Sequence, residues 1–140
     1  MTADGTWYNE LGSVMTLTID GASVTGTYQT AVGDASGIYQ LVGSIDTDGD
    51  PAGSGQAIAW AVVWNNEAKG SSHSITAWSG QYQLNDSEEE ITTLWLLTSE
   101  TPPDYDWAAT QINQDVFTRN QPQQQDVLRA RRRRMPSHPV

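Results

Sequence analysis

Short runs of Thr, Val, Ile, Trp and Tyr alternate with polar residues along the first 120 positions, separated by clusters of Gly, Asp, Asn, Ser and Pro. Alternation of this kind marks a strand with one buried face. Eight such runs occur, approximately 5–11, 14–20, 23–30, 38–46, 54–66, 72–84, 90–99 and 111–119. Asp20-Gly21 predicts a tight hairpin turn, whereas Asp48-Gly49-Asp50-Pro51 and Asn85-Asp86-Ser87 predict wider ones. No long helical period appears, although Asp104 to Thr110 suits a short turn. Eight strands at close, even spacing predict an all-β fold, either an antiparallel up-and-down barrel or a sandwich. A barrel has the advantage of leaving no open edge.

Strand parity sharpens this picture, because successive side chains face opposite sides of a sheet. In the fifth run Ile58, Trp60, Val62 and Trp64 share one face, with Ala59, Ala61 and Val63 opposite. Ser74, Thr76 and Trp78 share a face in the sixth, and Thr93, Trp95 and Leu97 in the seventh. If the Trp faces point inward, the interior is aromatic yet holds hydroxyls. Buried hydroxyls are costly unless bonded, so the interior is expected to hold a ligand that is both flat and polar. The outward faces then carry Val63, Ile75, Leu94 and Leu96, an apolar surface suited to subunit contacts. His73 falls on that outward face.

Composition and charge narrow the classes. Six Trp stand against one Phe, and the large polar-tipped ring of Trp suits a site that grips something flat. Cysteine is absent, which excludes disulfides and thiolate chemistry, and two His are too few for a His-rich metal site. No apolar run of about 18 residues exists to span a membrane as a helix. Met1-Thr2-Ala3-Asp4 lacks the basic end and apolar stretch of a signal peptide, which leaves a cytosolic protein or one whose signal has been removed. Residues 1–120 carry two basic against sixteen acidic side chains, net −14, and such a body repels nucleic acid and anionic membranes. Residues 121–140 hold Arg129 and Arg131 to Arg134 against Asp126, net +4, after a Gln-rich stretch. The expected organisation is a domain over 1–120 and a flexible Gln/Arg-rich tail over 121–140, disordered or loosely helical.

Several segments, in order, match a known family: Gly5-Thr6-Trp7-Tyr8-Asn9-Glu10-Leu11-Gly12-Ser13, Gly26-Thr27-Tyr28, Ala31-Val32-Gly33, Trp60 to Trp64, His73-Ser74, Trp78-Ser79-Gly80-Gln81-Tyr82, Trp95-Leu96-Leu97-Thr98-Ser99, Trp107 and Asp115-Val116-Phe117. On these residues the chain resembles the avidin/streptavidin family of biotin-binding proteins, over about 5–119 and nearer its bacterial members. The resemblance implies an eight-stranded antiparallel up-and-down β-barrel that binds biotin tightly without catalysis and needs no cofactor. It also implies a homo-oligomer, a tetramer before a dimer, in a secreted or periplasmic setting.

What the resemblance implies for the site is specific. Asn9, Ser13 and Tyr28 would donate to the ureido oxygen of biotin, while Thr30 and Asp115 would accept from its two N–H groups. Thr76 would face the sulfur. Ser74 and the backbone N–H of Asp34 would hold the ligand carboxylate. Trp64, Trp78 and Trp95 would box the rings and arm, with Leu11, Val32, Gly33 and Leu97 adding contacts, and Trp107 would close a neighbour's pocket. Taken singly, each residue also has an ordinary structural use: a Trp in a strand is usually core, and Asn9 or Ser13 at a strand end usually satisfies a turn. Trp7 and Trp60 are expected to be core. Asp34 is a departure, since the relatives carry Asn there. A second carboxylate at ~6 Å from the ligand's own costs roughly 1–3 kcal/mol. Asp34→Asn is therefore expected to tighten biotin more than an uncharged biotin amide, and equal effects in paired calorimetric titrations refute this. Three other readings compete: a lipocalin-like carrier of another small cyclic or apolar ligand, an enzyme using Asp115, His73 and a Ser, and a nucleic-acid protein acting through the Arg tail. Parity places His73 away from Ser74, and the acidic body disfavours the last.

Overall fold

The computed structural model describes residues 1–30 and 37–133, with the Arg133 side chain outside that description. Eight strands form one closed barrel in sequence order: β1 (Gly5–Tyr8), β2 (Val14–Asp20), β3 (Ser23–Gln29), β4 (Ile38–Ile45), β5 (Gln56–Asn66), β6 (Gly70–Asn85), β7 (Glu88–Ser99) and β8 (Thr110–Thr118). All neighbours are antiparallel. The barrel, not the sandwich, is the outcome. A six-residue 3-10 helix (Pro103–Ala108) lies where a short turn was expected, and α1 (Gln124–Arg133) follows the barrel.

The turns differ from the sequence expectation in two places. Asp20 pairs with Ser23, so the hairpin loop is Gly21-Ala22, one residue later than Asp20-Gly21. Gly21 takes φ +59° there, which suits the first central position of a type II′ turn. Asn85 pairs with Glu88, so the expected wide turn is a two-residue loop. Asp86 and Ser87 both adopt positive φ (50° and 69°), the type I′ geometry that matches strand twist. The first run also ends early, at Tyr8, because Asn9 turns the chain.

Parity is realised as expected. Ile58, Trp60, Val62 and Trp64 are buried on β5, and Thr76, Trp78, Trp95 and Leu97 on β6 and β7. Trp60 stacks on Trp78 (centroids 5.7 Å, planes 20° apart) and meets Phe117 edge-on, so Trp7 and Trp60 are core. Gly26 and Gly80 sit where a Cβ would collide with the carbonyl oxygen of Thr16 or Thr92 on the adjacent strand; only glycine lets the sheet coil that tightly. Val42, Val63, Ile75, Leu94, Leu96 and Ile112 stand exposed on the outer face of β4 to β8.

The seam between β1 and β8 has one backbone pair, Tyr8 with Thr118. Side chains close the rest. The Arg119 guanidinium lies 3.8 Å from the Trp7 ring centroid and donates to the carbonyls of Thr6 (3.2 Å) and Thr2 (3.0 Å). It also pairs with Glu89 at 3.2 Å, and Glu89 in turn accepts from the Tyr82 hydroxyl at 2.5 Å. Toward the opposite end, Glu10 Oε2 accepts from the Val116 N–H at 3.3 Å.

Candidate ligand-binding site in the barrel mouth

The β1–β2 loop, the β5–β6 loop and the β7–β8 connection lie at one end of the barrel, where β3 ends and β4 begins. Twelve of the residues singled out from the sequence are buried in the barrel: Asn9, Leu11, Ser13, Tyr28, Thr30, Trp64, Ser74, Thr76, Trp78, Trp95, Leu97 and Asp115. Asn9 is buried and its Oδ1 accepts from the N–H groups of Leu11 (3.0 Å) and Ser13 (2.9 Å). Gly12 at φ +86° lets the loop close, with its N–H on the Asn9 carbonyl at 3.1 Å. The two backbone donors fix the amide so that Nδ2 is turned to the Tyr28 hydroxyl, 3.4 Å away. Ser13 and Tyr28 are fully buried, so the β1–β2 loop and β3 bring three potential donors into the barrel interior.

Asp115 on β8 is fully buried, and its Oδ2 accepts from Trp78 Nε1 at 3.0 Å. Its carbonyl accepts from the Thr93 hydroxyl at 2.9 Å. A buried carboxylate needs such partners, and here they aim it from the strand into the barrel. Trp64 Nε1 donates to Thr76 Oγ1 at 2.8 Å. Trp64 sits at a bulge: the register slips between Val63 and Asn65, leaving Trp64 opposite Ser72 to Ser74. Ser72 Oγ reaches the Trp64 carbonyl (3.2 Å) and Ser74 Oγ (3.0 Å). Bulges re-aim side chains near binding sites.

The aromatic walls are continuous. Tyr28 lies 4.9 Å from Trp78 and 5.8 Å from Trp64, and Tyr39 meets Trp64 edge-on at 5.0 Å. Trp95, Leu97, Leu11 and Thr30 are buried with them, and Ser74 lies at the rim. Trp60 and Trp95 have buried indole N–H groups with no hydrogen-bond partner among the described residues. Trp107 is not in the pocket of its own chain; it is 83% exposed on the 3-10 helix. Val32, Gly33 and Asp34 lie outside the described residues. His73 is exposed, at φ +54°, and pairs with Glu100 at 3.1 Å, away from Asp115 and Ser74 as parity implied.

This polar floor, aromatic wall and strand order can be compared with known proteins. The family model described as "Avidin family" matches residues 1–120. The chain belongs to the avidin family. It is 35% identical to avidin-related protein 4/5 of Gallus gallus over 119 residues, covering 82% of this chain and 75% of that protein. It is 34% identical over 120 residues to avidin-related protein 2 of the same organism, with the same coverage of each chain.

Two parts of this avidin-fold site were not visible in the sequence. The Trp78–Asp115 bond joins residues 37 apart that carry no local signal of pairing. Glu10 was quoted only as part of a motif, yet it ties the loop holding Asn9 and Ser13 to β8 next to Asp115. Among the described residues no cluster of three or more His, Cys, Asp or Glu is placed to hold a metal, and no helix is long and apolar enough to cross a membrane.

Proposed function

We infer that this chain binds biotin in the mouth of the barrel, with high affinity and without turnover, and so sequesters it. The observation that carries the reading is the buried pairing of opposites. Asn9 Nδ2 and the Tyr28 hydroxyl lie 3.4 Å apart in the buried interior that also holds Ser13, while the buried Asp115 carboxylate is held by Trp78. A cyclic urea presents one strong acceptor oxygen flanked by two N–H donors, the complement of that arrangement. Thr30 is the second acceptor, Thr76 faces the sulfur, and Trp64, Trp78, Trp95, Leu11 and Leu97 wall the rings and arm. Ser74 and the backbone N–H of Asp34 hold the ligand carboxylate, and Val32 and Gly33 add contacts. Three donors on one oxygen favour a polarised form of the urea, and charge-assisted bonds are the stronger kind. Tight ground-state binding of this type is the opposite of catalysis.

Titration of Trp fluorescence with biotin, desthiobiotin and oleate tests the reading. A sharp endpoint of one biotin per subunit is expected; a response to oleate alone refutes biotin and favours a lipocalin-like carrier. Asn9→Asp is a finer probe. It keeps the Oδ1 that orders the loop but sets an acceptor against the urea oxygen. Affinity is expected to fall about 10- to 150-fold, from the ~1.5–3 kcal/mol of a charge-assisted bond, with the barrel intact by circular dichroism. Unchanged affinity would remove Asn9 from the site.

The assembly we assign is a homotetramer built on the exposed Val63, Ile75, Leu94 and Leu96 surface, with Trp107 of one subunit closing a neighbour's pocket. The 83% exposure of Trp107 and that outer apolar face support it. Leu94→Glu with Leu96→Glu is expected to lower the mass by light scattering and to weaken biotin binding at the same time. An unchanged mass counts against this face. A barrel domain over 1–120 with an appended tail, in a secreted or periplasmic setting, completes the reading.

A further inference from the structure

The positive tail turns back toward the open end of an acidic barrel. β8 runs from the mouth to the closed end, where Arg119 covers Trp7. Twelve residues later Arg131 Nη2 reaches the Leu11 carbonyl, 3.5 Å away, in the β1–β2 loop at the mouth. α1 supplies the return, since ten helical residues cover about 15 Å. Its faces are unequal: Val127 and Ala130 are partly covered, while Arg129, Arg131 and Arg132 are exposed. Arg129 pairs with Asp126 one turn back at 3.8 Å, so the exposed helix carries a net positive charge of two over Asp126, Arg129, Arg131 and Arg132, with Arg131 at the loop that carries Asn9 and Ser13.

The rim of the mouth has the opposite sign. Glu10, Glu67, Glu100, Asp104 and Asp106 lie on its connections, against Lys69. A ligand with a free carboxylate approaches that rim against repulsion, on a body of net −14. Fields of this kind change association rates by factors of about 10 to 10³ and fade with salt.

We propose that α1 is an electrostatic guide, holding Arg129, Arg131 and Arg132 beside the mouth so that they offset the acidic rim and speed capture of an anionic ligand. The choice of ligand rests on the biotin reading; the charge geometry does not. The guide acts on the approach of the ligand, so its signature is an association rate that depends on ligand charge.

The test is stopped-flow Trp fluorescence with three probes: biotin, its uncharged amide and its cationic aminoethyl amide. The proteins are the full chain, the combined variant Arg129→Gln, Arg131→Gln, Arg132→Gln, and a chain ending at Asn120. At about 10 mM ionic strength, where the Debye length is ~30 Å, both altered proteins should capture biotin about three- to tenfold more slowly. They should capture the amide at the same rate and the cationic amide faster. Near 1 M salt the three probes should converge. Equal acceleration of all three probes would make α1 a lid and overturn the guide, as would rates that ignore the substitutions. Failure of all three probes to bind the full chain would instead overturn the biotin reading.

Discussion

Asp115→Ala is expected to weaken biotin binding more than any other single truncation in the site, while leaving the barrel closed. Two donors lose their acceptor together. One is Trp78 Nε1, bonded to Oδ2 at 3.0 Å in a fully buried position; the other is a urea N–H of the ligand. Leaving a buried donor unpaired costs about 1–3 kcal/mol, and a bond to a charged group is worth ~1.5–3 kcal/mol. The first loss acts on the free protein and should lower its melting temperature by roughly 4–12 °C. The second acts on the complex and should lower affinity by roughly 10- to 150-fold. If the freed Trp78 also shifts within its stack on Trp60, the loss in affinity is larger. Paired calorimetry on free protein and complex separates the two. A variant that melts early but binds biotin undiminished would show Asp115 to be a support for Trp78 and nothing more.

The second large effect is expected at the closed end. Arg119→Ala removes the group that sits over Trp7, caps two carbonyls and neutralises Glu89 at 3.2 Å across a seam with one backbone pair. Both partners of that ion pair are about three-quarters covered, with side-chain exposures of 26% and 30%, so solvent screens it only in part. A desolvated cation–π contact and a partly buried pair together suggest a loss of about 2–4 kcal/mol. For a domain of this size that is roughly 8–16 °C in melting temperature.

The loss carries a pH signature. Burial pushes the Glu89 carboxyl up, but hydrogen bonds from Arg119 and Tyr82 and the Arg119 charge outweigh it, leaving the group below its ordinary 4.5. A depressed carboxylate stabilises the fold above its unfolded value, and that stability is lost as pH falls through the folded value. Asp4, held low first by the Ile19 N–H and then by the Thr2 hydroxyl, behaves in the same way and loses only the smaller contribution of the Arg119 charge on substitution. The gap between parent and variant should therefore be widest near neutrality and shrink below about pH 4. A gap that stays constant to pH 3 would mean that Arg119 acts through packing on Trp7 and not through Glu89.

The eight strands, the inward Trp faces, the exposed outer stripe and the position of His73 were legible in the sequence. They follow from alternation and turn chemistry, which act over a few residues. The loop Asn9 to Ser13 was legible only as a family motif; its cause is local, an amide accepting two nearby N–H groups. Val32, Gly33 and Asp34 stand as sequence expectations alone.

Closure was decided elsewhere. Whether eight strands make a sandwich or a barrel depends on whether the first meets the last, more than a hundred residues away, and here Arg119 and Glu10 provide what the single backbone pair does not. The same holds for the floor of the pocket. Asp115 read alone is a surface residue in a strand. Only when β8 lies beside β7 and its side chain reaches Trp78 of β6 does it become a buried, oriented acceptor. The opposite charges of tail and body made a return of the tail toward a pocket mouth or a neighbouring subunit an expectation from the sequence, but that α1 reaches Leu11 was not in the pattern. Local sequence sets which face of each strand is apolar, because that is a property of neighbours along the chain. Which strand meets which, and which charge lies beside which donor, is set by closing the barrel, because those distances exist only once the ends have met.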